Sequence, residues 1–511
     1  MNIWTKERLH EMVEEHLEHF RFIAVSNREP YIHKHTDSGV QCFQPASGLA
    51  TAIDPILRAS GGTWIAHGSG SADRQVVDRH DRIAVPPGNP AYTLRRVWLP
   101  EEVERGYYYG LANEGLWPLC HIAFQRPHFS QANWDCYRAA NELFAEAVLE
   151  EAGDEPAFVF IQDFHFALLP RLLKRRNPKI VVAQFWHIPW PNRETFRAFP
   201  WKEELLDGML GNDLLGFHVS YHCSNFLDTV DRSVEALVDS EHGCVTRGGH
   251  VTSVRAFPIS IDFDRHAQDA DSARVQAHKA EWRSLLGGRP EILGIGIDRI
   301  DYTKGILERL DAVDTLLSQR PDLRGRLVFV QVGVPSRTGI PDYDSLDAEV
   351  TRRVDEINAA WSDGEWAPIR FVRRHVDQEV LMALHQMADF CIVSSLHDGM
   401  NLVAKEFVAS RTDDDGVLIL SRFTGAAREL TSAVLVNPFA PDEIALAIET
   451  AMIMPESERR RRMQQMRSAV RGHNIYRWAG KILQALDRVV TNPRMAEVRS
   501  FPEERMRVGA A

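Results

Sequence analysis

Arg299 and Lys304 stand five positions apart in the decapeptide GIDRIDYTKG (296–305), behind the apolar run that ends in ILGIG. Such a run followed by such a turn predicts a strand giving way to a helix, with Gly305 at the helix start. Two cations beside a helix N-terminus suit an anion, because free backbone N–H groups and the dipole add to the side-chain charge. A diphosphate is the natural guest. Ordinary surface ion pairs are the competing reading of these ten residues taken alone. A second stretch, SSLHDGMNLVAKEFVASR (394–411), repeats the layout behind FCIVS. Asp398 and Gly399 make its turn, Met400 follows, Asn401, Leu402 and Val403 open a helix, and Glu406 comes one turn later. An Asp-Gly turn exposes N–H groups to phosphate, while a carboxylate in the first turns can hold ribose hydroxyls. The two stretches together predict one pocket for a nucleotide that carries a sugar. Asp398 as a plain helix cap and Glu406 as a solvated acid are the alternative.

The elements that must carry these turns are legible. Apolar runs recur at RFIAVSN, FVFIQD, IVVAQFWH, LLGFH, ILGIGID, RLVFVQVGV, FCIVSS, GVLILS and AVLVNP, and helical periodicity separates them at 133–153, 304–319, 342–361 and 441–471. Apolar strands alternating with helices predict an α/β chain with parallel sheets covered on both faces. At 511 residues the chain exceeds the ~250–300 at which one core stops growing, so at least two domains are expected. The polar stretch 258–290 reads as the break between two doubly wound domains facing each other across a cleft, with ligands beyond the carboxyl ends of the strands. The boundaries expected are a helical extension at 1–20, domains at 21–258 and 259–474, a helix at 475–495 packing back towards the first domain, and a tail at 496–511. Stretches 30–46 and 68–95 read as loops or hairpins.

Composition excludes several classes. A net charge of -12 speaks against a nucleic-acid-coating protein, so any phosphate binding must be focal. Six scattered cysteines without a C-x-x-C pair suggest reduced thiols rather than a disulfide framework or a zinc knuckle. The first twenty residues lack a signal-peptide centre, and nowhere do ~18 apolar residues run together, which reads as a soluble cytoplasmic protein without a membrane partner. Oligomeric state, including a homo-oligomer, stays open. The acidic DDDG at 413–416 reads as a solvated turn, and His218 with His222 at i,i+4 lacks a third zinc ligand.

Further short motifs join the two turns: VSNREP (25–30), SGLA (47–50), GGTW (61–64), YYYGLANEGLWP (107–118), QDFHFALLP (162–170), FWHIPWP (185–191), LLGFH (214–218), VGVPSR (332–337) and LVNP (435–438). In this order the chain resembles the retaining glycosyltransferases of the trehalose-6-phosphate synthase family, which have a GT-B fold. The resemblance implies that Arg299 and Lys304 hold the donor diphosphate and Glu406 its ribose. Gly48, in the loop after strand one, would close over the phosphates, with Asp398, Gly399, Met400, Asn401, Leu402 and Val403 completing the donor set. His187 would touch the transferred sugar. Arg28, Tyr108, Trp117 and Arg337 would surround an acceptor phosphate, with Asp163 on the acceptor hydroxyls. The catalytic set so implied is Arg299, Lys304, Asp163, His187 and Asp398, with no metal and no cofactor beyond the co-substrate, a nucleotide-glucose for which UDP-glucose is the first expectation and whose base (uracil, guanine or adenine) the side chains leave open. It also implies front-face transfer with retention, the leaving phosphate helping to deprotonate the acceptor.

The chain departs from the family pattern at Gln162, Phe164 and His397, in a longer 30–46 loop and in its N-terminal helix. By the resemblance these changes fall on the acceptor side and at the entrance of the expected cleft. Glucose 6-phosphate is the first expectation, glycerol 3-phosphate or a cyclitol phosphate the second. A non-catalytic sugar-phosphate-binding regulator is the reading from another class, against which the intact donor set argues. No Asp-x-Asp-x-Thr signature of a fused phosphatase is found.

Overall fold

The computed structural model describes residues 3–17, 20–45, 48–364 and 366–491. The tail expected at 496–511 lies outside them. Two compact units result: one is Ile259–Ile475, and the other joins Trp4–Pro258 to the described chain from Tyr476 on.

The Ile259–Ile475 unit holds a six-stranded parallel sheet. Its spatial order is Ile369–Val372, Leu327–Val334, Ile292–Arg299, Phe390–Val393, Val417–Ser421, Val434–Val436. In chain order that is 3-2-1-4-5-6, so the direction of winding reverses between Ile292–Arg299 and Phe390–Val393. The strands are apolar almost throughout because helices cover both faces. Leu310, Leu316, Phe329, Val350, Ile392 and Ile448 belong to one buried cluster among them.

The other unit holds a ten-stranded sheet. From Arg21–Ser26 the sheet grows one way through Thr63–His67 and Tyr92–Val97, and the other way through Ala157–Gln162, Val181–Phe185, Leu214–Phe217 and His250–Ala256, all parallel. Antiparallel strands close both edges, Arg82–Val85 at one and Leu237–Asp239 with Cys244–Arg247 at the other. Here too winding reverses, between Arg21–Ser26 and Ala157–Gln162. Both reversal points sit behind stretches singled out by their chemistry.

Some expectations need correction. The polar stretch from 258 forms two helices, Phe263–Ala270 and Ala273–Leu285, capped by the side chains of Asp262 and Ser272, which accept the N–H groups of Arg265 and Val275. The helix expected at 441–471 is two, Pro441–Ile453 and Glu456–Gly472, because Pro455 cannot continue the first. Of the two readings of stretch 30–46, loop or hairpin, the hairpin is the one found, Ile32–Thr36 with Gly39–Phe43. An unforeseen element is Arg105–Leu116, wound as a π-helix, in which Gly106 and Gly110 permit close approach. A Cβ at either would lie 2.6 Å from Cys136 Sγ or 2.4 Å from Asn133 Nδ2 of the helix Gln131–Ala152.

Gly305 is a tight junction in the donor-side turn. Its φ is +60°, and a Cβ there would lie 2.2 Å from the Ser394 carbonyl oxygen. Gly305→Ala is therefore expected to cost at least ~2 kcal/mol, read as a lower urea midpoint at unchanged slope. An unchanged midpoint would show that the junction yields.

Candidate active site

The strand Ile292–Arg299 ends on Arg299, and a 3-10 turn, Tyr302–Lys304, leads through Gly305 into the helix Ile306–Gln319. The neighbouring strand Phe390–Val393 delivers the Asp398 turn. The two turns are tied together. Leu396 N–H donates to Thr303 O at 2.7 Å, and Ser394 Oγ–H to Gly305 O at 2.7 Å. Lys304 Nζ donates to Asp398 Oδ2 at 2.6 Å, and Asn401 Nδ2 and Ser395 Oγ approach the same oxygen at 3.3 Å. Asn401, rather than Asp398, caps the helix Leu402–Ser410, its Oδ1 accepting the N–H of Ala404 at 3.0 Å. The amide groups of Leu402 and Val403 are first-turn donors, which a helix leaves without an internal partner. Met400 is 4% exposed. Gly425 seats against Gly399, where a Cβ would meet the Gly399 carbonyl at 2.0 Å. Its N–H donates to Asp398 O at 3.1 Å.

Two acids tune this end. Glu406 is raised to about 7 by burial. Burial also pushes Asp301 up, yet Arg337, Arg299 and Lys304 together pull it down to about 2. Arg337 is held in the left-handed region (φ +50°) and donates to Asp301 Oδ2 at 2.8 Å and to the Tyr343 hydroxyl.

In the other unit Arg28 follows one strand of the reversal point and Asp163 the other. The exposed Arg28 guanidinium lies 3.3 Å from Tyr108 Oη, and the Tyr108 ring stacks on His165 at 5.7 Å. Trp117 is 7% exposed and packs on His121 and Phe164, so it serves as a wall. Asp163 carries φ +70° and ψ -179°, a region almost reserved for glycine. What holds it there is visible: Oδ1 accepts the N–H groups of Phe164 at 2.9 Å and His187 at 3.0 Å, and its own N–H donates to Phe185 O. His187 Nε2 meets Gln162 Oε1 at 3.0 Å, and burial lowers the imidazole to about 3, so it stays neutral with its proton on Nε2.

The remaining residues fall elsewhere. Gly48 is the first residue of the helix Gly48–Ser60, not part of a loop, because the hairpin intervenes after the first strand. Asp413, Asp414 and Asp415 pair with Arg411, Arg467 and Arg459. His218 and His222 bond the carbonyls of His187 and Trp190. Among the described residues no group of three or more His, Cys, Asp or Glu is placed to hold a metal, and no helix is long and apolar enough to cross a membrane. Sequence reasoning passed over Asp301, Tyr343 and Gly425. Asp301 lay inside the quoted decapeptide, whereas nothing in the sequence marked Gly425 or Tyr343.

With this geometry in place, the likeness to known proteins is informative. The model of the family described as glycosyltransferase family 20 matches residues 20–488. A trehalose-6-phosphate synthase of Mycobacterium avium is 37% identical over 473 residues, covering 91% of this chain and 95% of that protein. A bifunctional trehalose-6-phosphate synthase/phosphatase of Thermoproteus tenax is 37% identical over 479 residues, and the match covers 91% of this chain but 63% of that longer protein. The crystal structure of an alpha,alpha-trehalose-phosphate synthase (UDP-forming) from Burkholderia xenovorans in complex with glucose-6-phosphate matches with a TM-score of 0.80 at 28% identity, covering 91% of this chain and 100% of that one. The chain thus belongs to glycosyltransferase family 20, the trehalose-6-phosphate synthase family of retaining glycosyltransferases with the GT-B fold.

Proposed function

We propose that the protein moves glucose from UDP-glucose to glucose 6-phosphate, forming trehalose 6-phosphate. The observation that carries this reading is the Lys304–Asp398 pair at 2.6 Å, made by two turns at a point where winding reverses, with Arg299 ending the adjoining strand. A cation and an acid in that place can serve the diphosphate and the sugar hydroxyls of one donor. The named activity of the Mycobacterium avium relative and the glucose-6-phosphate in the Burkholderia structure support the choice of substrates.

In this reading the bond between the glucosyl C1 and the phosphate oxygen breaks, and C1 bonds to the acceptor oxygen on the same face. The proton of the acceptor hydroxyl passes to the departing phosphate. Negative charge grows on the diphosphate, and Arg299 and Lys304 are placed to stabilise it. Asp163, fixed by two backbone N–H groups, orients the acceptor hydroxyl. Neutral His187 offers Nδ1 to the sugar, and Arg28 with Tyr108 holds the acceptor phosphate. Product analysis by mass spectrometry tests the reading: UDP-glucose with glucose 6-phosphate should give UDP and trehalose 6-phosphate, in preference to the product from competing glycerol 3-phosphate. UDP release that requires glycerol 3-phosphate instead would overturn it.

Arg299→Ala is expected to lower turnover ~10²–10³-fold with little change in unfolding midpoint, since the side chain acts on charge that develops during transfer. Full turnover in that variant would remove the basis of the assignment. For Glu406 the raised pKa sets the sign: the acid is largely neutral at pH 6 and ionised at pH 8, and the carboxylate is the better partner for ribose hydroxyls. KM for UDP-glucose should accordingly fall between about pH 6 and about pH 8, and Glu406→Gln should flatten that profile. At Asp163 strain and function separate. Both Asp163→Ala and Asp163→Gly should lose acceptor affinity, but the glycine variant should be the more stable by ~1–2 kcal/mol, because only it relieves the backbone. Equal stabilities would show that the backbone relaxes without help.

A further inference from the structure

We propose that a polar cavity at the amino-terminal edge of the six-stranded sheet is a binding site for a small phosphorylated metabolite, separate from the transfer site. The cavity has a volume of about 400 Å³ and opens where the strands Ile292–Arg299, Phe390–Val393 and Val417–Ser421 begin. Arg299 and the Asp398 turn leave the sheet at the opposite edge, roughly 23 Å away along an eight-residue strand. Its size suits a small ligand with several functional groups.

The charges facing the cavity select the ligand's sign. Four carboxylates line it, and each is engaged by an arginine. Asp413 is gripped by Arg411 at 2.9 Å, Asp415 by Arg459 at 2.6 Å, Asp389 by Arg289 at 3.3 Å and Glu291 by Arg326 at 2.7 Å. Two cations remain, Lys279 and Arg283, one turn apart on the helix Ala273–Leu285. Among the described residues neither has an acid partner, and Lys279 Nζ is met only by Gln386 Oε1 at 3.0 Å. Burial is the first cause that lowers the Lys279 pKa and the charge of Arg283 the second, with Asp413 opposing them. The lining sets five cations, Lys279, Arg283, Arg289, Arg411 and Arg459, against four carboxylates, so the field in the cavity is net positive by one charge. A metal cation would meet that field and would have to displace arginines from their carboxylates. An anion meets it with opposite charge.

The wall is rigid. Arg411 is 4% exposed and donates to the carbonyls of His385 and Ala388 as well as to Asp413. Gly416 makes room for it, since a Cβ there would stand 2.9 Å from the guanidinium. A phosphate monoester matches a guanidinium and an ammonium presented together, and Gln386 and Asp389 supply polar groups for hydroxyls beside it.

Methyl NMR of the full chain, labelled at methionine and titrated with inorganic phosphate, tests the site. Met387 and Met452 line the cavity, whereas Met400 lies in the donor turn. The Met387 and Met452 signals should shift saturably, with an apparent dissociation constant raised about tenfold or more in Lys279→Gln/Arg283→Gln, whose transfer activity should be unchanged. Arg283→Gln alone, at an exposed position, gives the same reading with the fold least disturbed and should weaken binding in the same direction. Silent Met387 and Met452 signals at phosphate concentrations that saturate Met400 would overturn the proposal. So would shifts that persist undiminished in the double variant.

Discussion

Arg309 is fully buried, and its guanidinium donates to Asp298 Oδ2 at 2.7 Å, Ser394 Oγ at 3.0 Å and Gln331 Oε1 at 3.1 Å. A charge taken so far from water persists only where a partner and several hydrogen bonds replace the solvent. Asp298 is that partner; burial raises its own pKa, while Arg309 and Lys304 draw it back down. The junction between the two donor-end turns refers to this contact. Ser394 passes the fixed position on to the Lys304 and Gly305 carbonyls, and Gly296 is glycine because a Cβ would stand 2.1 Å from Arg309 Nη1. The two chemistry-bearing turns are thus positioned from inside the sheet rather than by contacts at the surface.

The other unit solves the same problem with Arg96. That side chain, Glu29 and Asp73 are all without exposure, and Arg96 reaches Glu29 Oε2 at 2.8 Å and Asp73 Oδ1 at 2.9 Å. One guanidinium faces two carboxylates. Burial raises Glu29 to about 8, with its hydrogen bond to Asp73 adding to the rise; burial pushes Asp73 up as well, but that bond and the N–H groups of His33 and Gly70 together hold it low. One shared proton leaves the cluster neutral, the arrangement that makes its burial tolerable. Arg96 also donates to the Tyr31 carbonyl, so the segment just after Arg28 and the root of the hairpin Ile32–Phe43 are fixed by it. In each unit a buried arginine stands behind an exposed or partly exposed one, Arg96 behind Arg28 and Arg309 behind Arg299.

These relations explain what the sequence made legible. Strands buried on both faces must be apolar along their length, so Ala157–Gln162 and Ile292–Arg299 read clearly. The edge strand Leu237–Asp239, largely exposed, carries no such pattern. Turns at the reversal points were found because cations, Asp-Gly and short polar spacings are unusual after apolar runs. Arg309 and Arg96 were not found, since an arginine in a helix or strand reads as a solvated charge and only the folded neighbours reveal otherwise. One signal was available: Gly294 and Gly296 alternate within an apolar strand, and a glycine there marks a neighbour that needs the space. For the π-helix Arg105–Leu116 the glycines at 106 and 110 mark helix contact in the same way, but not the widened winding.

The charge count around the donor turns bears on how an acidic protein would recognise an anion. Arg299, Lys304, Arg309 and Arg337 stand with Asp298, Asp301 and Asp398, so the formal charges there cancel to within one, inside a chain of net charge -12. Long-range attraction is then weak, and recognition must rest on donors at hydrogen-bond distance. The acids serve that purpose. Lys304 spends one of its three N–H groups on Asp398 and Arg337 part of its fork on Asp301, which fixes the direction in which the remaining donors point. Preorganised donors of this kind cost little reorganisation when charge develops on a bound group, whereas unpaired cations would attract anions from further away and discriminate among them less.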